Sequence, residues 1–168
     1  MKKILLLSDT HNYLDESIKT HAFNADEIWH AGDIGSLHLA DQLNAIRPLR
    51  AVYGNIDDHT VRTAWPMNQQ FNCDGINVYM THIAGYPGRY NPEVIQTIKS
   101  TKPDLFICGH SHILRVMRDV KYNLLYMNPG AAGKHGFHHI RTMLRFSISS
   151  GKIENVEVIE LGLRGALS

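Results

Sequence analysis

The stretch KKILLLSDTH, residues 2–11, decides how we expect this chain to fold. Its four consecutive apolar residues, 4–7, predict a short buried strand. The apolar run ends at Ser8, which makes it shorter than the core of a signal peptide and far shorter than a transmembrane helix. Asp9 and His11 follow at once, so a carboxylate and an imidazole stand at a strand end, where α/β sheets form their ligand sites.

The length and the charge balance narrow the class of protein. A chain of 168 residues predicts one domain, spanning residues 1–168, that can bury a core without disulfides. Its 17 Lys and Arg against 16 Asp and Glu give a net charge of +1, which disfavours a dedicated nucleic-acid binder. Cys73 and Cys108 are the only cysteines, too few for a disulfide framework or a Cys-rich zinc site. We therefore expect a cytoplasmic protein without a membrane span.

Strand and helix patterns alternate over the first third of the chain. After the first strand, residues 14–23 and 39–46 have helical character, whereas residues 27–31 and 49–53 are typical of short strands. This alternation predicts βαβ units and a parallel sheet.

The rest of the chain has a different pattern. Turn signals around residues 72–75, 120–123 and 150–152 predict three hairpins. A helix is expected from Asn91, and residues 105–108 predict another buried strand. Two packed sheets flanked by helices would account for both halves, which makes the predicted class α/β.

Side chains that can bind metals recur directly after the predicted strands. If the chain continued straight, Asp9 and His11 would share one face of a strand. His110 and His112 would do the same, unless a turn splayed them onto two metals. Seven candidate metal ligands result: Asp9, His11, Asp33, Asn55, His82, His110 and His112.

The composition of this set favours two ions that share a ligand. Seven ligands exceed the roughly four that zinc takes, and a carboxylate such as Asp33 can bridge two cations with its two oxygens. Imidazole, carboxylate and amide together suit Mn²⁺, Fe, Zn²⁺, Ni²⁺ or Co²⁺ rather than Ca²⁺. A two-metal site is a recurring device for the hydrolysis of phosphate esters.

The ordered pattern Asp-x-His, Gly-Asp, Gly-Asn, His and Gly-His-x-His resembles the calcineurin-like metallophosphoesterase family, over most of the chain from Ser8 to about Gly133. The small size and the stretch NPGA at residues 128–131 look like its compact bacterial and archaeal phosphodiesterase branch. The retromer vacuolar-sorting subunit shares that compact fold. The resemblance implies a four-layer αββα sandwich of two mixed β-sheets flanked by helices.

The ligand roles of the family carry over to matching positions of this chain. Asp33 would bridge two divalent ions, with Mn²⁺ expected first and Ni²⁺, Zn²⁺, Fe²⁺ or Co²⁺ as alternatives. The resemblance assigns Asp9, His11, Asp33 and His112 to the first ion, and Asp33, Asn55, His82 and His110 to the second.

The sequence departs from the family at the position after Asn55. Many relatives have a histidine there as a candidate general acid, whereas this chain has Ile56, which cannot donate a proton. Asp57 is the matching acid candidate, and in that role its loss would slow turnover most for poor leaving groups. Asn55 and His82 complete the predicted catalytic residues.

Two loops are candidates for contact with a substrate. In residues 85–90, Arg89 would pair with a phosphate and Tyr86 or Tyr90 would stack on an aromatic group; the alternative is an ordinary loop before the next helix. The stretch KHGFHHIR, residues 134–141, is either a basic loop that meets an anionic ligand or partner, or a solvated loop. We favour the solvated loop.

Together these features predict a metal-dependent hydrolase of small phosphate esters. A metal-bridging hydroxide would attack the phosphorus of a phosphodiester in line, and the preference for a diester rests on the resemblance alone. The alternatives are a phosphomonoesterase, a nuclease and a non-catalytic scaffold for protein interactions, and the complete ligand set argues against the scaffold. The family and the hairpins also fit a homodimer or a higher homo-oligomer.

Overall fold

The computed structural model describes residues 1–165 of the chain. Among these residues, no helix has both the length and the apolar character needed to cross a membrane. The elements follow in the order β1 (Lys2–Leu7), α1 (Glu16–Phe23), β2 (Glu27–His30), α2 (Leu37–Ile46), β3 (Leu49–Ala51), α3 (His59–Ala64), β4 (Asn68–Cys73), β5 (Ile76–Thr81), α4 (Pro92–Thr101), β6 (Leu105–Ile107), β7 (Leu114–Asp119), β8 (Leu124–Pro129), β9 (Ile140–Ser149) and β10 (Lys152–Leu163).

Two five-stranded sheets make up the fold, and both are mixed. In the first sheet, of order β10-β9-β1-β2-β3, strands β1, β2 and β3 are parallel, and β9 and β10 extend it in antiparallel fashion. In the second sheet, of order β4-β5-β6-β8-β7, strands β5, β6 and β8 are parallel. The predicted α/β fold of two mixed sheets is confirmed. The second half is more than a set of hairpins, because β8 pairs with β6 as well as with β7.

The alternation of side chains along β1 shows how the layers are built. Leu5 and Leu7 pack in one core with helices α1 and α2, whereas Ile4 and Leu6 pack in a second core between the two sheets. A third core lies between the second sheet and α4, around Phe106. Each fully buried leucine or isoleucine contributes about 1.5–3 kcal/mol. The cores of the described residues therefore separate four layers: helices, sheet, sheet and helix.

We did not predict the short helix α3 from the sequence. Only Val61 of its six residues is buried, so the helix is too short for its apolar period to appear in the sequence. The helix begins after Asp58, whose carboxylate accepts the N–H of Val61 at 3.1 Å. Strand β3 is also shorter than predicted, which allows the following residues to turn towards the edge of the sandwich.

Glu27, at the start of β2, is a buried carboxylate that connects neighbouring strands. It accepts hydrogen bonds from Lys2 Nζ at 2.7 Å, Trp29 Nε1 at 3.0 Å and Arg50 Nε at 3.1 Å. Burial by itself would raise the pKa of Glu27, but these contacts outweigh burial and hold the pKa below its ordinary value of 4.5. Because the pKa is lower in the folded state, Glu27 stabilises the fold above pH 4.5, and this contribution is lost as the pH falls further.

We expect Glu27→Gln to remove this acid-sensitive contribution. At pH 7 the variant should lose about 1 kcal/mol of unfolding free energy, and the difference from wild type should shrink as the pH approaches 3. Urea denaturation across this pH range measures the difference, with the exposed Glu154→Gln as the matched control. The same pH dependence in wild type and Glu27→Gln would contradict the assignment.

Candidate metal centre

The predicted metal ligands lie at the edge of the sandwich where the parallel strands of both sheets end. Parallel strands direct their carboxyl ends to one edge, so the loops that follow them converge there. Asp9 and His11 follow β1, Asp33 follows β2, Asn55 follows β3, His82 follows β5, and His110 and His112 follow β6.

Six of these side chains form two groups, and within each group the ligand atoms lie within 4.8 Å of one another. Each group combines loops of the first sheet with loops of the second. The turn after β6 places His110 and His112 in different groups. The sequence left this open as the alternative to a shared face. The first group is Asp9, His11 and His112, and the second group is Asp33, His82 and His110.

Asp33 lies between the two groups. Its Oδ2 atom is 3.4 Å from Nε2 of His11, in the first group, and 3.2 Å from Nε2 of His82, in the second. Its Oδ1 atom accepts the N–H of Ile56 at 3.1 Å. A Cβ atom at Gly54 would collide with that Oδ1, so the loop after β3 can approach Asp33 only with glycine at this position. One carboxylate oxygen is thus placed to serve both groups.

The backbone that carries the ligands turns sharply. Asp9, His11, Asp33, His110 and His112 have positive φ angles of 53°, 44°, 54°, 69° and 59°. This left-handed conformation costs a non-glycine residue about 1–2 kcal/mol, and its concentration at one place is typical of a functional site. Because β1 ends before Asp9, the chain does not continue straight there, and Asp9 and His11 do not share the face of a strand. The turn nevertheless brings both side chains into one group.

Hydrogen bonds to surrounding residues fix the atoms that face the centre. Asp9 Oδ2 accepts Ser8 Oγ–H at 2.6 Å and the N–H of His110 at 3.1 Å, which leaves Asp9 Oδ1 for the histidines. His82 Nδ1 lies 2.7 Å from the carbonyl oxygen of Ala31. Since a carbonyl only accepts, Nδ1 of His82 holds a proton, and Nε2 is the atom that would bind a cation at the centre.

Unpartnered atoms at the centre test whether a cation fits. Within residues 1–165, Asp9 Oδ1, His11 Nε2 and His82 Nε2 are buried without a hydrogen-bond partner, a costly arrangement for polar atoms. Asp9 Oδ1 is 3.1 Å from His112 Nε2 and 3.8 Å from His11 Nε2. Ligands that bind one ion at about 2.0–2.2 Å lie roughly 3–3.5 Å from each other. The donor types and their spacing therefore fit divalent cations.

The carboxylates create a negative field at the histidines. Burial lowers the pKa of His11, but the close approach of Asp33 and Asp9 outweighs burial and raises it to about 9. The pKa of His82 is raised by the same balance. Desolvation disfavours the charged forms of Asp9 and Asp33, yet the histidines hold the pKa of each carboxyl below its usual range. The field that stabilises protons here also attracts cations, whose binding would release those protons.

Two depressions in the surface meet at Asn55. The larger, of about 490 Å³, includes His11 and His112 in its lining, and the smaller, of about 210 Å³, includes His82 and Arg62. Asn55 lines both, so it shares one depression with Asp33 and His110 and the other with His82.

The loop after β8 forms one side of the larger depression and keeps His135, Phe137 and His139 exposed to solvent, as the solvated-loop interpretation expects. His135, Phe137 and His138 belong to its lining. The ring centroid of His135 is 4.8 Å from that of His11, and His138 Nδ1 is 3.2 Å from His112 Nδ1. The basic composition of the loop was the available signal, but its position depends on where β8 and β9 place its two ends.

Asp57 has contacts that argue against its predicted role as proton donor. Its side chain accepts the N–H groups of Ile34 at 3.1 Å, Gly35 at 2.8 Å and Gly54 at 2.8 Å, and the residue is 3% exposed. A carboxylate that holds three backbone donors is not placed to protonate a substrate. Asp57 instead connects the loop after β2 to the loop after β3, the two loops that carry Asp33 and Asn55.

Arg89 and Tyr86 are the predicted substrate-binding residues. Neither is among the described residues that line the two depressions. Arg89 is exposed and donates its backbone N–H to the carbonyl of Tyr86 at 2.7 Å. The ring of Tyr86 has the guanidinium of Arg115 at 5.3 Å from its centroid. Their contact with substrate stays a prediction from the sequence.

The sequence of this chain is similar to a known protein family and to individual members of it. Residues 1–151 match the family model of the calcineurin-like phosphoesterase superfamily domain. A probable metallophosphoesterase of Mycoplasma pneumoniae is 27% identical over 164 residues, which cover 93% of this chain and 96% of the relative. A probable metallophosphoesterase of Methanothermobacter thermautotrophicus is 26% identical over 134 residues, covering 75% of this chain and 74% of the relative.

A solved structure has the same fold. The crystal structure of Vps29 from Chaetomium thermophilum superimposes with a TM-score of 0.75 and 16% identity, covering 98% of this chain and 100% of that one. The chain belongs to the calcineurin-like phosphoesterase superfamily.

Proposed function

We propose that this member of the calcineurin-like phosphoesterase superfamily is a phosphodiesterase that works with two divalent cations. The observation that carries the proposal is Asp33 Oδ2, which lies within 3.4 Å of a histidine from each ligand group. Asp9, His11, Asp33 and His112 would hold the first cation, and Asp33, Asn55, His82 and His110 would hold the second.

The chemistry of the ligands supports hydrolysis with bound divalent cations. When bound, divalent cations polarise phosphoryl oxygens and lower the pKa of water, so that water attacks phosphorus at neutral pH. The protein supplies fixed ligand positions: Ser8 and the backbone of His110 orient Asp9, and Ala31 orients His82. Such preorganised groups need no rearrangement during the reaction. We keep Mn²⁺ as the expected metal, since imidazole, carboxylate and amide ligands suit it.

The two depressions favour a diester over a monoester. A phosphodiester has two ester groups on phosphorus, and the two depressions share Asn55 while each is lined by candidate ligands. A monoester would use only one of them. The smaller depression offers Arg62 and Tyr53 to a polar or charged group.

The larger depression favours an apolar ester group. Ile56, Ile113 and Phe137 line it and are 46%, 58% and 100% exposed, so three large apolar side chains are exposed around one depression. In the described lining of the two depressions, Arg62 is the only lysine or arginine that could neutralise the second charge of a phosphomonoester, and it already donates to the backbone carbonyls of Asp57 and Asn55. Solvent reaches both depressions and can protonate the leaving oxygen in place of Asp57.

A paired assay on the metal-stripped protein tests the proposal. Mn²⁺, Ni²⁺, Zn²⁺ or Mg²⁺ is added, and hydrolysis of bis-p-nitrophenyl phosphate is compared with hydrolysis of p-nitrophenyl phosphate. We expect kcat/KM for the diester to exceed that for the monoester by about tenfold or more, which corresponds to about 1.4 kcal/mol of transition-state stabilisation. Faster cleavage of the monoester would make the protein a phosphatase. Tight binding of metal without turnover of either ester would favour a scaffold.

A further inference from the structure

His138 contacts the metal-ligand candidate His112 on the side away from the centre. Nδ1 of His138 is 3.2 Å from Nδ1 of His112, and Nε2 of His138 is 2.9 Å from the carbonyl oxygen of Gly133. On its other side, His112 Nε2 is 3.1 Å from Asp9 Oδ1. A continuous line of contacts thus runs from a backbone carbonyl through two imidazoles to the first ligand group.

The carbonyl at the end of this line determines where the protons lie. A carbonyl oxygen only accepts, so Nε2 of His138 must hold a proton. In the neutral ring, Nδ1 of His138 then has a lone pair and can accept. The facing Nδ1 of His112 therefore donates, and Nε2 of His112 is left without a proton, in the form that can bind a cation.

Gly136 explains why the loop can come so close. Its φ of 131° is a conformation that other residues rarely adopt, and a Cβ atom at this position would collide with the imidazole of His112. The backbone of Gly136 therefore packs directly against the ring that His138 contacts. This is a second, independent constraint on the orientation of His112.

We propose that His138 is a positioning residue, which accepts the Nδ1 proton of His112 and so presents Nε2 of His112 to the cation of the first ligand group. The inference rests on the two-cation site of the proposed function. The loop at residues 134–141, which contains none of the seven candidate metal ligands, would thereby have a specific role at the site.

Glutamine and phenylalanine at position 138 separate this role from simple packing. In His138→Gln the amide can accept from His112 and donate to Gly133, whereas His138→Phe keeps a ring but can do neither. Both variants and wild type are titrated with Co²⁺, whose visible absorption reports on its ligands, and the number of bound ions is counted by elemental analysis. His139→Phe, an exposed exchange at the next residue, is the matched control.

We expect His138→Phe to weaken one of two Co²⁺ sites by about 10–100-fold and to change its absorption spectrum. His138→Gln and His139→Phe should retain the wild-type affinity and spectrum. Gly136→Ala should reproduce the loss in His138→Phe, because its methyl group displaces the loop from His112. If His138→Phe binds both ions like wild type, or if His138→Gln loses as much as His138→Phe, the inference is overturned.

The Co²⁺ titration also separates this inference from the proposed activity. A wild-type protein that binds two ions but hydrolyses neither ester would refute the phosphodiesterase, while the comparison of the position-138 variants would still decide the role of His138. A wild-type protein that binds no Co²⁺ would overturn both.

Discussion

Asp33→Asn is expected to lower phosphodiester hydrolysis by about 10³-fold or more, since a metal site supplies several kcal/mol of transition-state stabilisation and each 1.36 kcal/mol is a factor of ten. The exchange removes one negative charge from the oxygen that faces His11 and His82. Asparagine tolerates the left-handed backbone at this position, where φ is 54°, and its carbonyl can still accept the N–H of Ile56. The fold should therefore survive, and the content of both cations should fall.

Elemental analysis and kcat/KM on the same preparations check this expectation. Asp41→Asn, an exposed exchange in α2, is the control for handling and for contaminating phosphatases. Wild-type cation content in Asp33→Asn would contradict the bridging role. Loss of only one cation would restrict Asp33 to the second ligand group.

The second large effect is expected at Asp57, on stability rather than on proton transfer. Asp57→Ala leaves the buried N–H groups of Ile34 and Gly54 and the partly buried N–H of Gly35 without their acceptor. An unsatisfied buried donor costs about 1–3 kcal/mol, so the free energy of unfolding should fall by about 3 kcal/mol or more. For a chain of this length that loss lowers Tm by roughly 6–12 °C.

Thermal and urea unfolding measure this loss, with Asp41→Ala as the exposed control in α2. Kinetics at a temperature where the variant is folded then distinguish the two roles of Asp57. A positioning role slows hydrolysis by a similar factor for good and poor leaving groups. A loss confined to poor leaving groups, together with unchanged unfolding, would restore the proton-donor role predicted from the sequence.

The features that could be predicted from the sequence are those that depend on residues close together in the chain. The run at residues 4–7 indicated a buried strand, and the polar residues after it indicated a ligand site, because both follow from short-range chemistry. The structure brings six of the seven candidate ligands into two groups, and Asn55 lines the same depressions as members of these groups.

The roles of Asp57 and His138 could not be predicted in the same way. The direction of the Asp57 side chain is set by a turn in which its N–H bonds to Gly54 O at 3.3 Å, and by backbone donors about twenty residues earlier in the chain. The contact of His138 with His112 spans 26 residues and depends on the path of β8 and β9. Both are consequences of tertiary packing, which composition and spacing do not encode.

Each ligand group takes side chains from loops of both sheets: His112 joins Asp9 across the sandwich, and His82 joins Asp33. A cation in either group would act as a cross-link between the two halves of the molecule, much as a disulfide does in a secreted domain. Its concentration would then enter the thermodynamics of folding, with about 2.7 kcal/mol per site at a hundredfold excess over Kd. The supply of metal would thereby set part of the stability of the folded protein as well as its chemistry.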